Sequence, residues 1–253
     1  MNVLVMNLTG NVGKSLVAKE VIFKQLNKGD NVLVEVENFN ASEMDTHQDG
    51  EYLRIRPEDF RERYGELLLK DNVVVDVGVN AVSDMLDILA EMGFVELLDL
   101  VVVPLVLNKK EMVDTVNFVE RFFAKYPDFD KRKFAVVVNR AKNEEIATDQ
   151  FYKNFKRSVE DSYKLDLDEN LVILEHSILQ ELAKNEIDFD EVADSKRDYL
   201  QEIKNLKNEE MSPERKAQMA KELAQLNLVH KKAKAAKENF QRVGLRLLVN
   251  VPE

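Results

Sequence analysis

Thr9-Gly10-Asn11-Val12-Gly13-Lys14-Ser15 is the segment of this chain best equipped for chemistry. It follows the apolar run Val3-Leu4-Val5-Met6 and opens a helical pattern from Ser15 to Lys28. Strand, glycine-bearing turn, Gly-Lys-Ser and helix together make an anion site. Backbone N–H groups converge there, the helix N-terminus carries partial positive charge, and a lysine adds a full one. The ending fits the Walker A pattern Gly-x-x-x-x-Gly-Lys-Ser, but Leu8 stands where that pattern has its first glycine. Gly10 supplies a glycine in another place. These residues predict a nucleoside triphosphate site with a loop of non-standard form. Lys14 then neutralises β- and γ-phosphate oxygens, and Ser15 offers its hydroxyl to Mg2+, a hard cation that takes oxygen ligands. Thr9 to Gly13, with Leu16, complete the cradle.

Other carboxylates and amides end apolar runs. Asp76 closes Val73-Val74-Val75 and precedes Val77-Gly78. A carboxylate at the C-terminal end of a buried parallel strand faces the crevice where open α/β sheets bind ligands. Asp76 can serve Mg2+ there, or cap a turn, and Gly78 allows a backbone N–H to approach the γ-phosphate. Glu35 and Glu37 share one side of their strand by alternation, and Glu37 lies nearer the crevice. It can orient water or Mg2+, or sit in a solvated loop mouth. Asn139 closes Phe134-Ala135-Val136-Val137-Val138 and is followed by Arg140. Its amide offers the donor and acceptor that suit a purine edge, or it forms a turn. Asn108-Lys109-Lys110-Glu111 is a chance likeness to a guanine-reading sequence, with Glu for Asp and after an earlier strand. His47, His176 and His230 are far apart and suggest no metal cluster.

These groups need a scaffold that brings strand ends together. Strands are expected at Asn2–Asn7, Asn31–Glu37, Asn72–Val77, Leu100–Leu107, Lys133–Asn139 and Asn170–Glu175. Val-Val-Val occurs in three of them, and unalternated apolar runs suit strands buried on both faces. Helical spacing marks Ser15–Lys28, Pro57–Lys70, Ser83–Met92, Lys109–Lys125 and 143–163. Strands alternating with helices predict an α/β fold, a mainly parallel, doubly wound sheet. After Asp190 the strands stop. Asp190–Glu210 and Pro213–Arg242 read as two helices of a C-terminal hairpin, with Ser212 as cap and Pro213 in the first turn. The expected division is 1–190 for the nucleotide-binding domain and 191–253 for a helical extension. Met219, Leu223, Leu226 and Val229 form its buried face.

The net charge of −11 argues against uniform coating of nucleic acid or anionic membrane. The balance is uneven: 196–246 holds 13 Lys/Arg against 7 Asp/Glu, an excess of six positive charges. That region is a candidate polyanion contact or a solvated helical surface. The chain has no cysteine, which excludes a disulfide framework and a cysteine zinc site. No basic n-region with an apolar h-region opens the chain. Its most apolar stretch, Phe94 to Leu107, carries Glu96 and Asp99 and is too short to span a bilayer. A cytoplasmic protein without integral membrane association is expected.

Four stretches in order, TGNVGKS, VLVEVEN, VVVDVG and VVVNR, resemble the ParA/MinD family of deviant Walker A ATPases. They cover about residues 1–180, and the Gly-Asn-Val-Gly-Lys-Ser form is similar to the StbB/TraL-type plasmid stability proteins. The resemblance implies a P-loop ATPase using ATP and Mg2+, a nucleotide-dependent homodimer, and plasmid DNA or a DNA-bound adaptor as partner. It makes Lys14 the phosphate lysine, Ser15 and Asp76 the Mg2+ residues, Glu37 the counterpart of the switch I aspartate, Asp76 the switch II aspartate, and Asn139 the adenine contact. Against the family's Lys-Gly-Gly-x-Gly-Lys-Ser/Thr, Thr9 replaces the signature lysine and Asn11 the second glycine. Glu37 for Asp also lengthens a catalytic arm. Slow hydrolysis is one consequence; another is a cation supplied from elsewhere, such as Lys109 or Lys110. Two other functions suit the same fold: a small-molecule kinase or ligase like dethiobiotin synthetase, and a nucleotide-binding scaffold with negligible turnover.

Overall fold

A computed structural model describes residues 1–26, 29–38, 52–249 and 251. His47 lies outside the described residues, as does the end of the first expected helix at Lys28.

Seven strands form one sheet: β1 (Asn2–Val5), β2 (Asn31–Val36), β3 (Tyr52–Ile55), β4 (Asn72–Val77), β5 (Leu100–Val106), β6 (Phe134–Ala141) and β7 (Val172–Leu174). Their order is β3-β2-β4-β1-β5-β6-β7, and every pairing is parallel. Val3, Leu4 and Val5 are wholly buried, as the unalternated run requires of a central strand covered on both faces. Six of the seven strands stand where the apolar runs put them. The seventh, β3, is a short, half-polar edge strand whose Tyr52 and Arg54 alternate with Leu53 and Ile55. Four residues with a charge among them fall below the threshold of pattern reading.

The first helical segment changes pitch along its length. It begins as α1 (Lys14–Leu16), widens to a π turn over Val17–Ile22 and tightens to a 3-10 turn over Phe23–Gln25. Next come α2 (Pro57–Leu67), α3 (Val82–Glu91), α4 (Lys109–Lys125) and α5 (Gln150–Tyr163). Pro57 opens α2, and Asp59 accepts the Arg56 N–H at 3.2 Å. The Asn108 side chain caps α4 by accepting from the N–H groups of Lys110 and Glu111. That cap accounts for Asn108-Lys109-Lys110-Glu111 without any role in base reading. Helix α5 starts at Gln150 rather than 143, because Asp149 caps it there.

The chain divides into two compact units, residues 1–174 with 241–253, and residues 175–240. The first contains the sheet. The second contains α6 (Ser177–Lys184), α7 (Phe189–Ala193), α8 (Tyr199–Asn205) and the greater part of α9 (Pro213–Val249). The single helix expected over Asp190–Glu210 is therefore two short ones. Asp188 and Asp198 cap them, accepting from the N–H groups of Glu191 and Gln201 at 2.8 and 2.9 Å. Ser212 caps α9 as expected, accepting the Arg215 N–H at 3.3 Å. Leu223 packs with Tyr199 and Leu206, with Met219 against them, whereas Leu226 is 45% exposed and leaves the expected apolar face. No helix among the described residues is long and apolar enough to cross a membrane.

Candidate functional site

All strands run the same way, so their C-terminal ends meet at one edge, and the loop after β1 lies there. Register places Asp76 beside Val5 on one side and Glu35 on the other. The loop is fixed from below by Asn7, wholly buried, whose Nδ2 donates to the Pro104 carbonyl at 2.8 Å and to Thr115 Oγ1 at 2.9 Å. Asn11 and Gly13 both take left-handed backbone, with φ of 58° and 84°. Gly13 also has no room: a Cβ there would lie 2.1 Å from Asn139 Nδ2. The last glycine of the motif is thus required twice, by φ and by contact.

Lys14 folds back across the loop and donates to the Thr9 carbonyl at 3.1 Å. It is 9% exposed, and burial holds its pKa below the usual lysine value, against the attraction of Asp76 and Glu37. Asp76, 5% exposed, has its pKa raised chiefly by burial, although the Ser15 hydroxyl and Lys14 oppose the rise. The Oδ1 of Asp76 is buried without a hydrogen-bond partner among the described residues. An orphaned carboxylate oxygen beside a serine hydroxyl fits a hard divalent cation carried by a nucleotide. Among the described residues no group of three His, Cys, Asp or Glu could hold a metal without such a ligand.

This electrostatics gives a pH-dependent prediction. A raised folded-state pKa means that the stability contributed by Asp76 is complete below the ordinary carboxylate value of 3.8 and lost as pH rises through the folded value. The attraction of Lys14 is already counted in that net direction. Asp76→Asn is therefore expected to raise the stability of the unliganded chain at neutral pH. Urea unfolding should show the gap between variant and wild type closing as pH falls toward 4.

Glu37 follows β2, donates its N–H to the Ile55 carbonyl at 3.1 Å, and is ion-paired with Arg54 at 2.9 Å. Its Cγ lies 2.6 Å from where a Gly78 Cβ would be, so Gly78 makes room for it. Arg54 also approaches Glu35 at 3.9 Å, and Tyr52 donates a hydroxyl hydrogen bond to Glu35. Burial, then Glu37, raises the Glu35 pKa. Asn139, 1% exposed, donates from Nδ2 to the Val12 carbonyl at 2.8 Å and accepts the Arg140 N–H at 2.8 Å. Its amide therefore braces the loop in this structure. Arg140 is exposed and donates from Nη2 to Asn11 Oδ1 at 3.1 Å. Lys109 and Lys110 open α4 as exposed residues, joined to the loop by no hydrogen bond or ion pair among the described residues.

The structure thus gathers Thr9 to Leu16, Glu37, Asp76, Asn139 and Arg140 at one sheet edge. Pattern reading missed Asn7 and Arg54, which hold the loop and Glu37. A cleft of about 690 Å³ opens at the opposite edge beside Leu100, Phe134 and Arg246. Its Asp168 and Glu169 are neutralised by Arg246 and Lys156, and it contains no loop of this kind. His176 and His230 hydrogen-bond to Asn239 and the Val192 carbonyl within the second unit.

No family model and no curated protein matches the chain. Solved structures do. Apo McdA of Cyanothece shares 12% identity over 74% of this chain and 90% of its own, with a TM-score of 0.50. A chain of the Aquifex aeolicus MinC:MinD cell division complex shares 16% over 76% and 88%, at 0.47. The chain has a ParA/MinD-type fold. A plasmid partition protein of Borrelia burgdorferi bound to AMPPNP is also similar, at 15% identity over 81% of this chain and 95% of its own, with a TM-score of 0.49. Identities this low establish the fold alone.

Proposed function

We propose that the chain is an ATP-dependent dimerisation switch of ParA/MinD type, acting in plasmid partition, stability or cargo positioning and reset by hydrolysis. One observation carries this: Lys14, Ser15 and an Asp76 with an orphaned oxygen converge under a loop whose backbone is already turned to bind an anion. The AMPPNP on the Borrelia partition protein and the MinC:MinD pairing are consistent with nucleotide binding and partner binding here.

In this reading the triphosphate displaces the Lys14 ammonium from the Thr9 carbonyl. Lys14 then spans the β- and γ-phosphates. Ser15 and Asp76 would hold Mg2+, which would supply charge neutralisation at the phosphates. Glu37, anchored by Arg54, orients the attacking water. Asn139 keeps Val12 and Gly13 in register. The exposed Lys231, Lys232 and Lys234 in the second unit meet plasmid DNA or an adaptor. Phosphate contact of that kind weakens with salt.

Sedimentation with Mg-AMPPNP and with Mg-ADP tests the switch. A dimer with the triphosphate analogue and a monomer with ADP is the expected result. A mass independent of nucleotide would remove the switch and leave a nucleotide-binding scaffold.

A further inference from the structure

The loop lacks a charge at residue 9. Thr9 is neutral, 5% exposed, and its hydroxyl donates to the Gly10 carbonyl at 3.4 Å. The cations inside the site are few and partly committed. Lys14 is the loop's own lysine, and Arg54 is held by Glu37 and Glu35. Three carboxylates, Glu35, Glu37 and Asp76, face the same crevice in register. A triphosphate with its four negative charges enters an acidic mouth and needs more positive charge than Lys14 and Mg2+ bring.

Arg140 is built to answer that need. Its guanidinium reaches the loop rim at Asn11 and uses one N–H there, at 3.1 Å. No carboxylate pairs with it among the described residues, although the chain as a whole is strongly acidic. Its remaining N–H donors are left for an anion, and guanidinium matches phosphate oxygens in pairs. Both members of the contact take left-handed backbone, φ 58° at Asn11, where asparagine is tolerated, and 56° at Arg140, where an arginine is uncommon. A left-handed arginine held against a ligand loop is backbone that the surrounding structure must impose. Asn139, one residue earlier, ties the end of β6 to the Val12 carbonyl, so the arginine is fixed relative to the loop.

We propose that Arg140 grips the terminal phosphates of the bound nucleotide within the same chain, supplying the cation that Thr9 lacks. Asn11 positions it, by holding the guanidinium at the rim until the phosphates arrive. This rests on the nucleotide reading above and adds a residue to it.

Calorimetric titration of the full chain with Mg-AMPPNP and with Mg-ADP tests it, on wild type, Arg140→Ala and Arg140→Lys. Because Arg140 is exposed, the variants are expected to fold, and circular dichroism checks that. Arg140→Ala should weaken Mg-AMPPNP at least about tenfold, as loss of a charge-assisted contact does, and Mg-ADP less than about threefold. Arg140→Lys should recover part of the loss, and Asn11→Ala should show a smaller loss of the same kind. Equal affinities in wild type and Arg140→Ala would overturn the proposal. So would an equal fall for both nucleotides, which would place Arg140 on the base or the inner phosphates. A wild-type chain that binds neither nucleotide strikes the nucleotide reading itself, a different outcome from either.

Discussion

Lys14→Ala is expected to lower phosphate release from ATP by at least about 10²-fold, the scale of losing one preorganised charge at a developing transition state. The unliganded chain should keep its stability to within about 1 kcal/mol. The reason lies in what Lys14 does without ligand. It makes one hydrogen bond, to the Thr9 carbonyl, and burial disfavours its charge. The sign follows from the lowered pKa: the stability Lys14 contributes is present above the usual value of 10.5 and lost as pH falls through the folded value. At neutral pH the buried ammonium is a cost to the empty site, and relief of that cost opposes the lost hydrogen bond and the lost attraction to Asp76. Saturating nucleotide at 100 times its dissociation constant stabilises a native chain by about 2.7 kcal/mol, and that gain should vanish in the variant. Steady-state phosphate release with parallel melting curves checks both halves. A variant that still hydrolyses at the wild-type rate would remove Lys14 from the chemistry.

Gly244→Ala is expected to destabilise the sheet-containing unit by about 3 kcal/mol, and Gly65→Ala to stabilise it by up to about 1 kcal/mol. Both glycines lie inside helices, where alanine gains helix propensity. Space decides the sign. Around Gly65 in α2 a Cβ meets nothing within 4 Å. At Gly244 in α9 it would lie 1.9 Å from the Val21 carbonyl oxygen, and Val21 belongs to the π turn that continues the phosphate loop. The neighbour there is backbone, so it cannot rotate away. The two segments must move apart, and the loop helix moves with them. Nucleotide affinity should therefore fall in Gly244→Ala and hold in Gly65→Ala. Urea denaturation and nucleotide titration of both variants measure this, and equal stabilities for the two would contradict the close approach.

The Gly65 and Gly244 contrast also marks where sequence reading stops. Unalternated valines place β1, β4, β5 and β6, because a strand covered on both faces needs no polar alternation. Gly13, Lys14 and Ser15 are legible because the loop's chemistry is local. Arg54 is not: its carboxylate Glu37 is 17 residues away, and only the parallel pairing of β2 with β3 brings them together. Asn7 likewise finds Pro104 and Thr115 through strand order. Gly244 carries no signal at all, since its reason is a helix more than 200 residues earlier. The helix expected over Asp190–Glu210 is a different case. Its polar, helix-favouring composition runs on, but the first helix ends at Ala193 and Asp198 caps a new start, as Asp188 caps the first. Those two caps could have been read as aspartates ahead of short apolar turns.

Calorimetric titration of the wild-type chain with AMPPNP, with and without Mg2+, tests the central claim most directly. One site per chain, with a dissociation constant of about 100 μM or tighter in Mg2+ and clear weakening without it, is the predicted result. No heat of binding at millimolar nucleotide, with the chain folded, would contradict it. The turned loop, Lys14 and the orphaned Asp76 oxygen would then need another ligand.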